Sequence, residues 1–384
     1  MANATLPKIV IAFRKLANTF ISRSERGIAI LIVREEGTTS GNDYTPVASS
    51  IQEVTQDSDL SGWSNANAAR IADMLTINPA KVVVVTIDDT ENVSEATDLI
   101  EANYPSGRVT MVKKTAADTT ALCTWAKAKK SYRVVVFDKA SQDSKYIENV
   151  YNQSIMFDSA WDAGRAYQGT LDRSTVTTYT TEELTPMIAA ILARANVQGA
   201  SSTVLKALTS VVDVASPDTV VNNGNIILYN DWNGSDRVVR LGTAVNTLVT
   251  FDNSANNGDQ IEDMRYIEVA EAADMIRQDI TAVFRDEYSG KMKNSVDNQM
   301  QLLGAIGDYF DRLESEDILN GSFSNTAEID IEAQRAAWAT DKPEAAEWDD
   351  DKVKATPYKR QVFIASDVQI LQSIQDLKMQ VTLN

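Results

Sequence analysis

The amino-acid sequence predicts an α+β protein, in which a sheet-rich part is followed along the chain by a helix-rich part. Between residues 81 and 138, short apolar runs typical of buried strands alternate with helix-like segments. This order is typical of a small, mainly parallel sheet covered on both faces. Residues 264–319 instead repeat their apolar side chains at steps of three and four, which predicts two successive helices. Alternating patterns near both ends predict terminal strands.

The composition limits the partners that the chain can have. Its 384 residues predict about two or three domains, and a hydrophobic content of 43% is typical of a globular protein. With 36 Lys and Arg against 54 Asp and Glu, the formal net charge is −18. Nucleic acid and anionic lipid repel such a chain unless basic residues cluster, and the run at 127–130 is short. We therefore expect neither a nucleic-acid nor a membrane partner.

Catalytic and metal chemistry is restricted by the residues that the sequence lacks. Histidine is absent and Cys123 is the only cysteine, which excludes the common zinc sites, Ser-His-Asp triads, Cys-His dyads and intrachain disulfides. Cys123 lies in an apolar-leaning run and is expected to be a small core residue. The N-terminal apolar run carries Lys8, Arg14 and Lys15, unlike a secretory leader or a membrane span. We expect synthesis and folding in the cytoplasm.

Two strands are predicted before residue 36. Near the start, Ile9, Ile11 and Phe13 share one face of an alternating pattern. Residues 27–33 form a continuous apolar run of the length of a buried strand. Residues 36–67 are rich in Ser, Thr, Asn, Asp and Gly and predict loops with one short strand.

A helix and then a β/α alternation are predicted next. The helices cover residues 66–75, 93–102 and 119–129, and the strands cover 81–87, 108–112 and 133–137. Asp88 and Asp89 follow the first of these strands. An acidic pair there can hold Mg²⁺ or a ribose, or it can cap the next helix and solvate the turn. Because no glycine-rich phosphate loop accompanies the pair, we predict a structural role, no metal and no cofactor.

Two amphipathic helices occupy the centre of the second half. Their apolar positions are Val269, Ala273, Ile276, Ile280 and Val283 in the first, and Val296, Met300, Leu303, Ile306, Phe310 and Leu313 in the second. Glu271, Asp274 and Asp279 fall largely outside the first stripe. Asn294 or Ser295 is the expected N-cap of the second helix.

The flanking elements of the second half are predicted from shorter signals. They are a helix over 184–195, a hairpin of 225–229 with 237–241 around Asn233-Gly234, a strand over 327–331, a helix over 332–339 and strands over 361–365 and 377–383. In the last strand, Leu377, Met379, Val381 and Leu383 alternate with polar residues.

An acid-rich stretch, residues 341–352, has no apolar period and predicts a mobile surface loop. A metal site at Asp349, Asp350 and Asp351 is the alternative. Consecutive carboxylates cannot all face one ion, and the spacing of an EF-hand is missing.

Four stretches carry a resemblance to a known family. Residues 274–319 (DMIRQDITAVFRDEYSGKMKNSVDNQMQLLGAIGDYFDRLESEDIL) resemble the core of contractile tail sheath proteins, which form the contracting sheath of phage tails and of phage-tail-like bacteriocins. Residues 236–248 (DRVVRLGTAVNTL), residues 327–338 (AEIDIEAQRAAW) and the strand-rich C-terminus agree with this family in order. The ordered set, rather than one motif, carries the resemblance, which covers roughly two thirds of the chain with the N-terminus included.

The resemblance implies a fold and a division into domains. A sheath core domain, a mixed sheet with helices, would be built from the N-terminal strands and the C-terminal half, with an inserted α/β outer domain. The expected segments are an N-terminal arm with the first core strands at 1–35, the outer domain at 36–155, the core at 156–360 and C-terminal strands or an arm at 361–384.

The resemblance also implies a function and partners. Sheath subunits form a helical homo-oligomer of stacked hexameric rings around an inner tube protein, bounded by baseplate and tail terminator proteins. The sheath contracts and drives the tube through a target envelope, as in other contractile injection systems. An enzymatic activity and a cofactor are not expected. The chain would be made in the bacterial cytoplasm and incorporated into a phage tail or a released phage-tail-like particle.

Two sets of site residues follow from the resemblance. Sheath subunits exchange extended terminal arms with neighbouring copies, and this role is transferred to Ile9, Ile11, Phe13, Leu377, Met379, Val381 and Leu383. Sheath proteins also contact the tube through a charged inner helix. The candidates for this contact are the charges of the helical pair that were expected to be exposed, namely Arg277, Asp279, Arg285, Asp286, Lys291 and Lys293. A solvated helix face is the ordinary alternative for these charges.

Two other functions remain open at this point. The chain could be another self-assembling structural protein, such as a surface-layer or capsid-like subunit. A nucleotide-dependent enzyme built on the α/β alternation is a third alternative, which the residues favour less. The enzyme needs a phosphate loop and a general base, neither of which the sequence clearly offers.

Overall fold

A computed structural model describes residues 26–40, 43–112, 114–139, 142–158, 161, 179–252 and 258–380. The chain forms two compact units. Among the described residues, the first unit contains 26–276 and 370–380, and the second contains 277–369. No helix in these described ranges is both long enough and apolar enough to cross a membrane.

The first unit holds most of the strands. They are β1 (Ile28–Glu35), β2 (Thr38–Ser40), β3 (Asp43–Thr45), β4 (Ser50–Val54), β5 (Lys81–Asp88), β6 (Gly107–Met111), β7 (Tyr132–Phe137), β8 (Ile147–Val150), β9 (Ser154–Phe157), β10 (Tyr179–Thr180), β11 (Leu208–Val211), β12 (Asn225–Ile226), β13 (Leu228–Asn233) and β14 (Asp236–Leu241). Its helices are α1 (Asn65–Ile77), α2 (Val93–Asn103), α3 (Ala116–Lys129), α4 (Thr185–Ala195), α5 (Pro217–Asn222) and the first part of α6 (Ile267–Val283).

A seven-stranded sheet forms the centre of this unit, in the order β12-β8-β7-β6-β1-β5-β4. All neighbouring strands are parallel except β4, which pairs antiparallel with β5 at the edge. Strand β1 is apolar on both faces. Ile30 contributes to the core shared with α2 and α3, whereas Leu31 contributes to the core shared with α1 and α4. A strand buried on both sides reads as a continuous apolar run, which explains the sequence of β1.

The α+β class and the β/α alternation are confirmed, but the sheet does not follow the expected division into segments. Strand β1 pairs with β5 and β6, so the sheet crosses the expected boundary at 35/36. Strand β12 pairs with β8 and crosses the boundary at 155/156. The physical reason is that β1 is apolar on both faces and is therefore stable only inside a sheet, with a neighbouring strand along each edge. The seven-stranded sheet therefore combines strands from the expected arm, outer-domain and core segments.

Three smaller sheets complete the first unit, one of which is the antiparallel pair of β2 and β3. Strands β10, β9 and β11 form another, and β13 and β14 form the expected hairpin. Gly234, with φ +67°, supplies the turn. The hairpin starts at Leu228, so the prediction that its first arm begins at residue 225 is wrong. Asn225 instead belongs to β12 of the large sheet, where its side-chain oxygen accepts a hydrogen bond from Asn149 Nδ2 at 2.6 Å.

The second unit is mainly helical. It contains the last part of α6, a π-helix (Phe284–Tyr288), α7 (Val296–Ser315), β15 (Thr326–Ile329), α8 (Ile331–Asp341), α9 (Asp350–Lys354) and β16 (Ile364–Asp367). The two helices and the Ser295 cap are confirmed, since Ser295 Oγ accepts a hydrogen bond from Asn298 N at 3.3 Å. Strands β15 and β16 form a two-stranded antiparallel sheet.

The expectation of a mobile loop at 341–352 is wrong. A 3₁₀ helix (Pro343–Glu347) and α9 cover most of this stretch. Ala345 and Val353 are fully buried, and the Trp348 ring lies 5.8 Å from that of Trp338. Asp349 caps α9 by accepting a hydrogen bond from Lys352 N at 2.8 Å. A few well-placed apolar side chains outweigh the local excess of acid, which a search for a continuous apolar period misses.

A buried cluster of charges fixes the first half of α6 to the sheet. The Glu271 carboxylate lies 2.8 Å from Arg133 Nε, 2.9 Å from Arg108 Nη2 and 2.7 Å from Arg26 Nη1. Arg108 comes from β6 and Arg133 from β7. Burial raises the pKa of the Glu271 carboxyl, but the three guanidinium groups outweigh it and lower the pKa to about 2.

The cluster continues one turn further along α6. Asp274 accepts from Arg133 Nη2 at 2.7 Å and from Lys145 Nζ at 2.8 Å. Lys145 also lies 2.8 Å from Asp259. Glu148 on β8 forms a two-point contact with Arg108, at 2.7 and 2.8 Å. Four cations therefore face four carboxylates, and the desolvated charges are compensated within the cluster.

Removing Glu271 should destabilise the protein strongly. Glu271→Ala leaves three buried guanidinium groups without a shared acceptor, so we expect the free energy of unfolding to fall by about 3–5 kcal/mol. The pKa of Glu271 is depressed in the folded state, so its contribution is complete above pH 4.5 and is lost as the pH falls towards 2. Urea unfolding of the wild type and Glu271→Ala between pH 7 and 2 measures both effects. The control is Glu332→Ala, since that side chain is 87% exposed. A loss below about 1 kcal/mol, the range of a surface ion pair, would contradict this account of the cluster.

Candidate functional site

The C-terminal segment leaves large apolar side chains in solvent. Every described residue from 371 to 380 is exposed and none belongs to a strand. Ile374 is 97% exposed, Leu377 86% and Met379 74%. Side chains of this size in one exposed segment indicate a surface that another molecule covers.

The expected strand at 377–383 is only partly described. Leu377 and Met379 lie in its described part, which pairs with no strand among the described residues. Val381 and Leu383 lie outside the described residues, as do Ile9, Ile11 and Phe13 of the expected N-terminal arm. Strand exchange at these seven positions therefore stays a prediction.

The sheet of β15 and β16 has two open edges. Its ladder runs from Thr326 opposite Asp367 to Ile329 opposite Ile364, and no third strand pairs with it in the described part of the chain. Ile329 is buried on the helix-facing side, whereas most of β16 is exposed. An open edge presents unpaired backbone donors and acceptors that an extended segment can use.

The connection between α6 and α7 carries most of the candidate tube contacts. Arg285 and Asp286 lie in the π-helix, are largely exposed and pair with each other at 2.9 Å. Lys291 and Lys293 follow in the exposed turn, where Lys291 Nζ donates to the Asp286 carbonyl oxygen. Short π-helical segments are often found at functional sites.

Asp279 differs from the other candidates. Arg277 is exposed, but Asp279 is 1% exposed, and its carboxylate accepts a hydrogen bond from Tyr309 Oη on α7 at 2.7 Å. The expectation that Asp279 lies on an exposed face is wrong, because a tyrosine from the next helix provides a buried partner. Asp279 is therefore not a tube-contact candidate.

The acidic pair after β5 has a structural role at Asp88. Its carboxylate accepts hydrogen bonds from Thr90 N and Oγ1 at 3.0 and 2.7 Å, from Tyr44 Oη at 2.7 Å and from Val47 N at 2.8 Å. Burial raises the pKa of Asp88, but these hydrogen bonds outweigh it and hold the pKa below the usual value. All acceptor positions of the carboxylate are used within the chain.

The carboxyl end of the neighbouring strand β1 is occupied by an arginine side chain. Arg34, at the end of β1, donates to the carbonyl oxygens of Asp89 and Glu91 at 2.7 and 2.9 Å and pairs with Asp118 at 3.1 Å. In doubly wound folds, ligands bind in a crevice at such strand ends. Within the described ranges, no cluster of three or more Asp, Glu or Cys residues is arranged to hold a metal ion.

The charge cluster around Glu271 was not predicted from the sequence. A usable signal exists in the strands, because Arg108, Arg133 and Glu148 are charged residues inside strands that are almost entirely buried. A charge inside a buried strand needs a partner, and the carboxylates of α6 provide it.

Comparison with known proteins finds similarity to tail sheath proteins. Residues 259–384 match the family model of the phage tail sheath C-terminal domain. The tail sheath protein of Clostridium phage phiCD119 is 23% identical over 397 residues, covering 98% of this chain and 99% of the relative. The chain is a relative of the tail sheath proteins. The resemblance stated from the sequence is thereby confirmed.

Three solved sheath structures share the fold of this sheath relative. The contracted helical sheath of the anti-feeding prophage has a TM-score of 0.65 at 13% identity, with full coverage of both chains. The sheath tail protein of Desulfitobacterium hafniense has a TM-score of 0.60 at 13% identity, covering 84% of this chain and 94% of that one. The sheath tail protein of Listeria innocua has a TM-score of 0.57 at 10% identity, covering 92% and 97%.

Proposed function

We propose that this chain is the structural subunit of a contractile tail sheath. Copies of it polymerise as stacked hexameric rings around an inner tube and contract to drive that tube through a target envelope. The observation that carries the proposal is the exposed apolar segment at 371–380, which pairs with no strand in the described part of its own chain. Its relatives are sheath proteins, and one of the similar structures is a contracted helical sheath.

Exchange of terminal strands connects the copies in this proposal. The Leu377 and Met379 side chains enter a neighbouring copy as a strand beside β15 or β16, and Val381 and Leu383 extend that strand. Ile9, Ile11 and Phe13 do the same from the other end of the chain. Each large side chain that becomes buried contributes about 1.5–3 kcal/mol, and main-chain hydrogen bonds set the register.

Contraction is then a switch between two arrangements of the same interfaces. Subunits move as nearly rigid bodies while the exchanged strands act as hinges, and the contracted arrangement is lower in free energy. No nucleotide and no catalytic step are required, which agrees with the filled strand end at Arg34 and the saturated Asp88 carboxylate. Baseplate and terminator proteins bound the sheath, which assembles in the bacterial cytoplasm as part of a phage tail or a bacteriocin-like particle.

The inner tube is contacted by exposed charges around the π-helix. The proposed residues are Arg277, Arg285, Asp286, Lys291 and Lys293. Their exposure and their closeness in sequence support this role. Contacts between exposed charges are individually weak and sensitive to salt, so such a contact can be released as the sheath moves.

Replacing the apolar side chains of the C-terminal arm should abolish assembly without unfolding the subunit. In Leu377→Ser/Met379→Ser, both altered side chains are already exposed, so the melting temperature should stay within about 2 °C of the wild-type value. Electron microscopy of the purified protein should find striated hollow cylinders for the wild type and none for the variant. Deletion of residues 1–16 or 374–384 should have the same effect.

The matched control is Trp232→Ser on the β13–β14 hairpin, where the side chain is 66% exposed. This variant should assemble like the wild type. Full-length cylinders from the double variant and both deletions would refute strand exchange. Flat lattices or closed shells from the wild type would favour the surface-layer or capsid alternative instead.

Reversing the charges in the turn should weaken binding to the tube but leave the sheath fold intact. Lys291→Glu/Lys293→Glu should lower the fraction of sheath that sediments with tube-containing particles by at least about threefold at low salt, since exposed pairs contribute up to about 1 kcal/mol each. Arg237→Glu, an exposed charge on the hairpin, is the control. Equal sedimentation of both variants would place the tube contact elsewhere.

A further inference from the structure

One turn of helix α6 holds the segments that lead to both ends of the chain. Glu271 Oε2 accepts from Arg26 Nη1 at 2.7 Å, two residues before β1 begins. Glu268 Oε1 accepts from both Ser373 N and Ser373 Oγ, at 3.0 and 3.1 Å. Residues three apart on a helix are neighbours on its surface, so the two carboxylates lie side by side.

The contact at Ser373 is a built site rather than a chance encounter. Glu268 is 6% exposed, so its carboxylate is desolvated and depends on the hydrogen bonds that it receives. Gly199, with φ +80°, closes the other side. A Cβ atom there would lie 2.3 Å from Glu268 Oε2 and 2.7 Å from Ser373 Oγ, so a side chain at this position would displace one of these groups. Three segments of the chain therefore meet at this carboxylate.

Ser373 is the last firmly held point before the apolar arm. Beside it, Gln372 Nε2 donates to Asp263 Oδ1 at a longer distance of 3.3 Å. From Ile374 onward, the described side chains are exposed and the segment forms no strand. The exposed arm therefore begins directly after the contact between Ser373 and Glu268. We call Ser373 the root of the C-terminal arm and Arg26 the root of the N-terminal arm.

The other root is fixed by the charge cluster. The Arg26 side chain is 9% exposed, and the Glu271 carboxylate that holds it is also held by Arg108 and Arg133 from the sheet. A force applied at residue 26 reaches β1 along the backbone, and the Arg26–Glu271 contact ties the same point to α6. A force applied at residue 373 reaches the same turn of α6 through Glu268.

We propose that Glu268 and Glu271 form a joint anchor, which keeps the roots of both terminal arms at a fixed separation on one helix. This inference rests on the proposed exchange of arms between copies. In that setting the anchor passes tension from one set of neighbours to another through a single helical turn tied to the sheet. The first unit, to which both roots are tied, then moves as one piece during contraction. Glu268 and Glu271 are positioning residues, since neither enters a neighbouring copy.

The anchor is tested on the full-length chain with one variant for each root. Glu268→Ala and Ser373→Ala weaken the C-terminal root, and Arg26→Met weakens the N-terminal root while Arg108 and Arg133 stay on Glu271. Glu268→Gln keeps an oxygen acceptor and is the conservative rescue. Ser322→Ala, an exposed serine outside the site, is the control.

Two readouts separate anchoring from folding. In the unassembled subunit, hydrogen exchange at the Ser373 amide should become about tenfold faster in Glu268→Ala, as expected for loss of one hydrogen bond to a charged group, and should return towards wild type in Glu268→Gln. The yield of cylinders, counted by electron microscopy, should fall at least about tenfold for Glu268→Ala and Arg26→Met at a temperature well below the subunit melting temperature of each variant. Ser322→Ala should match the wild type in both.

The possible results have distinct meanings. Normal cylinders from Glu268→Ala, Ser373→Ala and Arg26→Met, next to normal wild-type cylinders, would overturn the anchor and leave the proposed function standing. If Glu268→Ala fails to fold, Ser373→Ala and Glu268→Gln decide the question through the same two readouts. Wild-type protein that never forms cylinders would overturn the proposed function and the anchor together.

Discussion

Burial of opposite charges at the first turns of α6 is the contact on which this molecule depends. An amphipathic helix ordinarily packs on its sheet through an apolar stripe, whereas the first half of α6 is buried nearly all round, with Val269, Ala270 and Met275 on different sides. Glu271 and Asp274 are charged, and their burial requires ion pairs with Arg108, Arg133 and Lys145. Such a cluster contributes little when complete but is costly to break, so it selects one position of the helix. That position decides where the roots of both chain ends lie.

The proposed contraction, which uses no nucleotide, needs rigid bodies joined by extended connections, and the first unit has the features of such a body. The first unit has a sheet with an apolar core on each face, and ion pairs attach helix α6 to that sheet. These contacts favour movement of the unit as one piece. The apolar segment at 374–380 has neither a strand partner nor burial in the described structure. In the proposed contraction, the free energy comes from interfaces between copies, because each buried segment of this kind contributes a favourable amount.

Local patterns were enough to predict the elements, whereas the site depended on distant partners. The period of 3.6 residues located α6 and α7, and Asn233-Gly234 located the hairpin, because these signals arise from neighbouring residues. Burial of Asp279 could not be predicted, since it depends on Tyr309, 30 residues away. The pair of Arg108 and Glu271 spans 163 residues and is visible only once the sheet and helix are assembled. Sequence alone therefore predicted local helices and the hairpin better than the distant contacts that bury charges in the interior.

The central claim is that each chain end completes a sheet in another copy while its root stays on α6. Electron cryomicroscopy of the assembled particle, at a resolution that traces the main chain, tests this most directly. The account predicts a strand from a neighbouring copy hydrogen-bonded beside β15 or β16, with Ser373 still on Glu268 and Arg26 still on Glu271. Both ends folded back on their own chain, with no foreign backbone beside that small sheet, would contradict it.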